Sequence, residues 1–244
     1  LNIVTNKNIS MGYKSNISST YTQSIFPKYT LGTSHFYKTE KLNLFASYIH
    51  GPRKDFKNTE SAINFMDDTG VFSRWITDYD KTTKAKSHTA QLNLDYAIND
   101  RNTIILASSE SISPNKTFDN MQFTEMRNGQ GQLDSTFVTQ SDLLENKNNF
   151  STDLTYEHSF KEEGSLVLNG HFTKYKGDNT QNAQSDYFNV DNEFMRTFGF
   201  CTDADQDIEI FTTQLDLMTT IGIFDFETGL KGSFINSDSG IAYY

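Results

Sequence analysis

Alternation of apolar and polar residues with a period of two runs through long segments of this chain, and it constrains the fold more than any other feature. In residues 87–98 the apolar positions share one face: Ala90, Leu92, Leu94, Tyr96 and Ile98. The positions between them are polar: Thr89, Gln91, Asn93 and Asp95. Since successive side chains of a strand point to opposite faces, the pattern predicts a β-strand with one apolar and one polar face.

The same reasoning predicts an all-β chain. Alternation is clear in residues 150–158, 211–219 and 224–234, whereas residues 29–39 and 42–51 carry aromatics on both faces. Helical spacing is not sustained, with at most a turn or two near residues 60–66. The predicted strands are residues 12–23, 29–39, 42–51, 87–98, 103–113, 150–158, 165–175, 211–219 and 224–234.

The connections between these strands differ in length in a regular way. Tight turns are predicted at residues 38–41, 99–102, 161–164 and 220–222. Long polar connections alternate with them, at residues 52–86, 114–149 and 176–207. Outer-membrane barrels have short periplasmic turns and long extracellular loops. The short connection at residues 24–28 is an exception, since its position in the order is that of an extracellular loop.

Strand length supports the same fold class. Several predicted strands have about 10–12 residues, whereas strands of soluble sheets usually have about 5–6. A tilted strand that crosses a membrane needs about 9–11. We therefore predict an antiparallel up-and-down meander that is part of a transmembrane β-barrel. It would supply about nine to ten strands of a larger wall.

Composition limits the function. The net charge of −10 argues against nucleic acid as a partner, because binding phosphates needs a concentrated basic face. A single cysteine excludes an internal disulfide framework. The mean hydropathy of −0.58 would suggest a soluble protein, but barrel strands alternate lipid-facing and lumen-facing residues and average out as polar.

Three stretches give the chain a family resemblance. Residues 1–7 (LNIVTNK) look like the last strand of a plug, and residues 41–48 (KLNLFASY) are similar to the third wall strand. Residues 214–217 (QLDL) followed by 226–233 (FETGLKGS) resemble a recurrent strand pair. In these stretches the chain resembles the outer membrane protein β-barrel family of plugged, TonB-dependent-type receptors, which is abundant in Bacteroidetes-like bacteria.

The resemblance implies a domain division and a function. Residues 1–8 would end a plug-like segment and residues 9–244 would form a partial barrel, with both ends of the chain interpreted as cuts in a longer protein. Such a receptor lies in the outer membrane, captures an unknown nutrient ligand and imports it. The energy-coupling complex would act through a plug absent from this chain, and a surface lipoprotein could be a further partner. The resemblance implies no enzyme activity and no cofactor.

Charged residues on the polar strand faces are predicted to face the lumen. A pair of carboxylates could serve a glycosidase, but charges near the middle of a bilayer are costly on the lipid side and collect on the other side. No catalytic residue is therefore assigned. The predicted lumen-facing residues are Asp95, Asp153, Glu157, Asp216, Asp225, Glu227 and Lys231.

Two further groups are candidate binding residues. Asp203, Asp205 and Asp207 alternate as calcium ligands could, but the pattern favours a solvated acidic segment, and no metal site is assigned. Phe72, Trp75 and Tyr79 fall in the first long connection, where exposed aromatics could contact an extracellular ligand such as a sugar or simply pack the loop. Five tyrosines near strand ends could form interfacial girdles or pack across strands: Tyr21, Tyr37, Tyr48, Tyr96 and Tyr156.

Two alternatives stay open at this point. One is a soluble or surface all-β binding module, such as a sandwich that recognises a glycan or a protein. A sandwich would bury its apolar rows between two sheets. The other is an outer-membrane barrel used in adhesion or secretion, which sequence patterns do not separate from an importer.

Overall fold

The computed structural model describes residues 11–161 and 164–244, and these form nine β-strands. No helix within these ranges has the length and apolarity needed to cross a bilayer. The segment at residues 1–8 that was predicted to end a plug lies outside the described residues. Residues 162–163 of the predicted tight turn at residues 161–164 also lie outside the described residues. The strands are β1 (Gly12–Gln23), β2 (Pro27–Lys38), β3 (Leu42–Asp67), β4 (Gly70–Asn99), β5 (Asn102–Asn128), β6 (Leu133–Ser159), β7 (Gly164–Asn189), β8 (Phe194–Ile221) and β9 (Phe224–Tyr243).

All nine strands lie in one open sheet. Their order is β1 to β9 without a crossover, and each strand pairs antiparallel with the next. Ala85 and Phe137 are the buried hydrophobic residues of the described ranges, so no dry core separates two layers. The predicted all-β meander is confirmed, and the sandwich alternative is wrong because the Leu and Phe rows are not enclosed between sheets.

The strands β3 to β8 are far longer than predicted. They have 26–30 residues each, because the three segments interpreted as long connections are themselves paired strands. We call these segments, residues 52–86, 114–149 and 176–207, the hairpin extensions, and the remainder of the sheet the wall. The interpretation of these segments as connections, and that of residues 60–66 as a helical turn, is wrong.

The physical reason is that backbone pairing does not require an apolar face. The extensions are rich in Thr, Ser, Asn and Asp, so their sequences lack the alternating apolar residues by which a strand is recognised. Ladder hydrogen bonds nevertheless satisfy every second backbone group on each side. The hairpins still leave the wall at one end only, as the predicted alternation of short and long segments required.

Asn or Asp residues begin four of the turns, at Asp67, Asn99, Asn128 and Asn189. The Asn99 side chain accepts hydrogen bonds from the backbone N–H groups of Arg101 (3.0 Å) and Asn102 (3.1 Å). At the tips of the extensions, Asp67 accepts from Thr69 at 2.7 Å and Asn189 accepts from Glu193 at 2.8 Å. Such side-chain bonds to the backbone favour a turn over continued strand.

A level of irregular pairing divides the wall from the extensions. Register shifts occur between Lys84 and His88 in β4 and between Ser113 and Lys116 in β5. The three prolines of the chain lie at this level, within the paired strands: Pro27, Pro52 and Pro114. Pro52 is tolerated inside β3 because β2 pairs with β3 only as far as His50, so that β3 is an edge above this level. Pro114 lies in the β5 bulge.

Candidate ligand-binding face

The pairing register assigns each wall residue to one of two faces, because residues opposite each other in a ladder share a face. One face carries the leucine rows and is called the apolar face. It includes Leu154, which is 53% exposed, and Leu230, which is 75% exposed. The other face is called the polar face. The seven residues predicted to line the lumen all lie on the polar face: Asp95, Asp153, Glu157, Asp216, Asp225, Glu227 and Lys231.

Cross-strand hydrogen bonds satisfy polar groups on this face. Asn43 donates to Asp95 at 3.1 Å, His171 contacts Asp153 at 2.7 Å and Asn169 donates to Thr155 at 2.8 Å. A network of this kind suits a wet surface between strands. That this face surrounds a lumen stays a prediction, since the sheet is open.

A single sheet with one exposed apolar face and one hydrogen-bonded polar face is unstable in water, because the apolar side chains stay in contact with solvent. Contiguous apolar surface of this extent marks a membrane or protein contact. In a bilayer, strands can expose leucine to lipid provided that neighbouring strands satisfy the backbone. The fold and its two faces therefore define the wall of a membrane β-barrel.

Comparison with known proteins agrees with this class. Residues 158–244, about a third of the chain, match the family model described as "Outer membrane protein beta-barrel family". No curated protein matches the chain. The matched strands β7 to β9 continue the same sheet as β1 to β6. The protein is thus an outer-membrane β-barrel protein, and its location is the outer membrane.

The five tyrosines predicted as girdle candidates all lie on the apolar face. Tyr96 and Tyr156 belong to one cross-strand row through Ile104, near the turns. Tyr48 pairs with Ala90 at the opposite end of the wall. This placement suits two interfacial levels, and girdle membership stays a prediction.

The structure does not bring the candidate calcium ligands together. Asp203, Asp205 and Asp207 alternate along β8 on one face, and Asp203 accepts a hydrogen bond from Thr180 at 2.7 Å. Residues two apart on a strand are separated by about 6.6 Å, which is too far to share one ion. Over residues 11–161 and 164–244, no three His, Cys, Asp or Glu side chains converge as metal ligands would.

The aromatics predicted as loop contacts lie in strand β4. Trp75 and Tyr79 are on the polar face, with Trp75 opposite Ile63 and Tyr79 opposite Thr59. The Tyr79 hydroxyl donates to Asn120 at 2.9 Å, and burial raises the pKa of this hydroxyl above its ordinary value. Phe72 is next to the tip of the hairpin and is 54% exposed. Their assignment to a loop is wrong, while ligand contact stays a prediction.

Trp75 belongs to a row of rings that crosses the extensions. Its ring centroid is 5.1 Å from that of Phe65 and 5.7 Å from that of Phe137, which in turn is 5.1 Å from Tyr187. The Arg196 guanidinium lies 4.7 Å above the Tyr187 ring. We call these five residues the aromatic row. It joins β3, β4, β6, β7 and β8 on the polar face.

The aromatic row covers polar side chains of strand β5, Gln122 and Thr124. Thr124 is fully buried beneath it, and its hydroxyl is 2.9 Å from that of Thr77. Gln122 donates a second hydrogen bond to Thr124 at 3.2 Å. Sequence reasoning missed Phe137, Tyr187 and Arg196, because the row forms only when the strand register aligns residues that are far apart in the chain.

Below the aromatic row, the polar face has an ion cluster centred on Glu145. Lys116 and Lys147 donate to its two carboxylate oxygens at 2.9 and 2.7 Å, and its side chain is only 14% exposed. Burial raises the pKa of Glu145, but the hydrogen bonds from Lys147 and Lys116 outweigh burial and hold the pKa below its ordinary value. The bond from Glu145 raises the pKa of Lys147.

Replacing Glu145 by glutamine is expected to weaken the middle extension by about 1–2 kcal/mol at neutral pH, because both lysines lose a charged acceptor. A depressed carboxylate pKa stabilises the fold above the ordinary value of 4.5 and stops doing so as the pH falls through the folded value. Hydrogen exchange of β5 and β6 amides in the full-length protein should therefore differ between wild type and Glu145→Gln at pH 7. The two proteins should converge only when the pH falls below the folded-state pKa of Glu145, which is lowered from 4.5. A constant difference at both pH values would show that the charge is not responsible.

Proposed function

We propose that this chain forms part of the wall and the outer surface of a plugged, TonB-dependent-type receptor that captures a nutrient and imports it. One observation carries the proposal: three long hairpins extend from one end of the wall and present an aromatic row and clustered cations on the polar face. An outer-membrane barrel with no external ligand would have no need for this surface. The role of the chain in this proposal is binding, not catalysis.

The wall offers support for a plug within the lumen. Phe36 and Phe45 pack against each other with ring centroids 4.6 Å apart, and the register assigns both to the polar face. Phe36 is 45% exposed. Exposed phenylalanines on a face of polar residues suit contact with a protein domain held inside the barrel. The proposed energy-coupling complex would act through that domain.

The experiment compares three strains of the native host: wild type, a deletion of the full-length gene and a deletion of the energy-coupling complex. Each grows in medium containing soluble cell and plant extracts, and the spent medium is profiled by mass spectrometry. We expect one compound class to be depleted by wild type and left behind by both deletions. A complemented strain should restore depletion.

The result separates import from other roles. If the gene deletion leaves every compound depleted as in wild type, import is wrong. If the gene deletion instead lowers surface attachment or the release of a protein, the barrel serves adhesion or secretion. If depletion depends on the gene but not on the coupling complex, the barrel imports passively and the TonB-dependent part of the proposal is wrong.

A further inference from the structure

Part of the polar face carries a net positive charge, although the whole chain is negatively charged. The protein has a net charge of −10, with 31 acidic and 21 basic residues. On the polar face of the first two extensions below the turns at their tips, and of the adjoining part of β2, the register gives the opposite balance, with two carboxylates, Asp55 and Glu145. The cations on this face are Lys28, Arg53, Lys57, Lys81, Lys116 and Lys147.

Each of the two carboxylates is shared between two cations. Asp55 forms salt bridges with Lys28 and Arg53, the latter at 3.6 Å, and Glu145 bonds Lys116 and Lys147. Six cations against two carboxylates leave an excess of four positive charges. Internal pairing therefore neutralises only part of the surface.

The two remaining lysines lie directly opposite each other. Lys57 and Lys81 are cross-strand partners, and neither forms a salt bridge with any described residue. The Lys81 ammonium is 4.4 Å from the centre of the Phe118 ring, and the Lys116 ammonium is 4.5 Å from it. Like charges directly opposite each other on a sheet are destabilising. A bound anion would remove that cost.

A cavity of about 450 Å³ opens on the polar face where the wall meets the extensions. Lys28, Arg53 and Lys116 are its charged lining residues, and no carboxylate of the described chain lines it. Its hydroxyl-bearing lining residues include Thr22, Thr30, Ser87 and Ser113. Cationic groups beside hydroxyl donors are the recognition chemistry of carboxylates and phosphates. The volume is in the range of small-molecule sites.

Small residues keep this cavity open. A Cβ atom added at Gly51 would lie 3.1 Å from the Ser87 Oγ and 3.7 Å from the Thr30 Oγ1. Ala85, which is buried, lies opposite Arg53. The register shifts at Lys84/His88 and Ser113/Lys116 bend the sheet at the same level. Position and shape therefore agree with a built pocket rather than a flat surface.

We propose that the cavity lined by Lys28, Arg53 and Lys116 binds a small water-soluble anion that carries two or more carboxylate or phosphate charges. This inference names the ligand chemistry of the proposed receptor and rests on that function only for its physiological meaning. A lipid headgroup could supply the same phosphate chemistry. We favour the soluble source because the cavity lies on the polar face, away from the leucine rows.

The opposite face supplies a matched control. At the same level, a second cavity of about 520 Å³ is lined by Lys54, Lys84 and Lys86 together with the three prolines, and Arg53 lines both cavities. Lys84 is paired with Asp119 at 3.2 Å. Removing three charges there changes the net charge by the same amount as removing Lys28, Arg53 and Lys116.

The experiment uses the full-length protein in detergent, with citrate and pyrophosphate as probes in isothermal titration calorimetry. We expect wild type to bind at least one probe, with an affinity that falls as salt rises. The K28Q/R53Q/K116Q variant should bind it at least tenfold more weakly, and the K54Q/K84Q/K86Q control should change affinity less than twofold. Gly51→Val keeps every charge and should also weaken binding, because its side chain occupies the cavity.

Folding of each variant is checked by the heat-dependent change in electrophoretic mobility that intact barrels show. If the triple variant does not fold, Lys28→Gln alone decides the question by the same comparison, because Lys28 lines only the proposed site. Lack of binding of both probes to wild type, or equal weakening by the two triple variants, would overturn the inference. Weakening by the control alone would assign the phosphate chemistry to lipid headgroups. Probe binding without nutrient depletion would keep the cavity and reject import.

Discussion

Arginine in place of Leu154 is expected to destabilise the full-length barrel by about 2–4 kcal/mol. Leu154 lies on the apolar face in the middle of the β6 wall segment, opposite Leu106 and Gly170, and 53% of it is exposed. In water this substitution would cost little, because an exposed leucine gains little from packing. In a bilayer the guanidinium would meet hydrocarbon near the midplane. Urea unfolding in lipid vesicles measures the difference.

The matched control is arginine at the next residue, Thr155, which lies on the polar face. Thr155 accepts one hydrogen bond from Asn169, so its replacement should cost about 1 kcal/mol. The prediction concerns the difference between the two faces. Equal effects of both substitutions would mean that the apolar face does not contact lipid, and would contradict the membrane interpretation of the wall.

Alanine in place of Phe137 is expected to have the largest effect within the extensions. Phe137 is 7% exposed and packs between Trp75 and Tyr187, so its removal leaves a gap in the aromatic row. Phe-to-Ala changes at buried sites cost about 3–5 kcal/mol, and we expect about 3 kcal/mol here because the row borders solvent. A loss of about 3 kcal/mol raises the population of the locally open state roughly hundredfold. Backbone amides of β6 and β7 near the row should therefore exchange hydrogen roughly a hundredfold faster.

Phe123→Ala supplies the comparison within the same hairpin. Phe123 lies opposite Val138 on the other face of the sheet and is 42% exposed. It is absent from the aromatic row, so exchange should rise by less than about fivefold, as for surface substitutions. Hydrogen exchange with mass spectrometry on the full-length protein measures the amide exchange rates of both variants. Similar exchange in both would show that the row does not hold the extensions together.

The wall could be predicted because lipid imposes a simple rule on its sequence. Residues 87–98 and 150–158 alternate strictly, since one face must be apolar while the other need not be. Alternation therefore located these strands and those at residues 211–219 and 224–234, and the seven candidate lumen residues lie on one face. Pro52 lies inside β3 because β3 has an unpaired edge at that level, which no local sequence pattern reveals.

The extensions and their binding surface required the tertiary structure. Lys81 and Phe118, for example, meet on one face only because the register of the β4–β5 ladder shifts between Lys84 and His88. Sequence periodicity fixes the face of a residue relative to its neighbours, so alternation by itself determined the wall and its two sides. Partners across strands depend on bulges and turn lengths summed over the whole sheet. Only the folded sheet therefore decided the aromatic row and the cationic cavity.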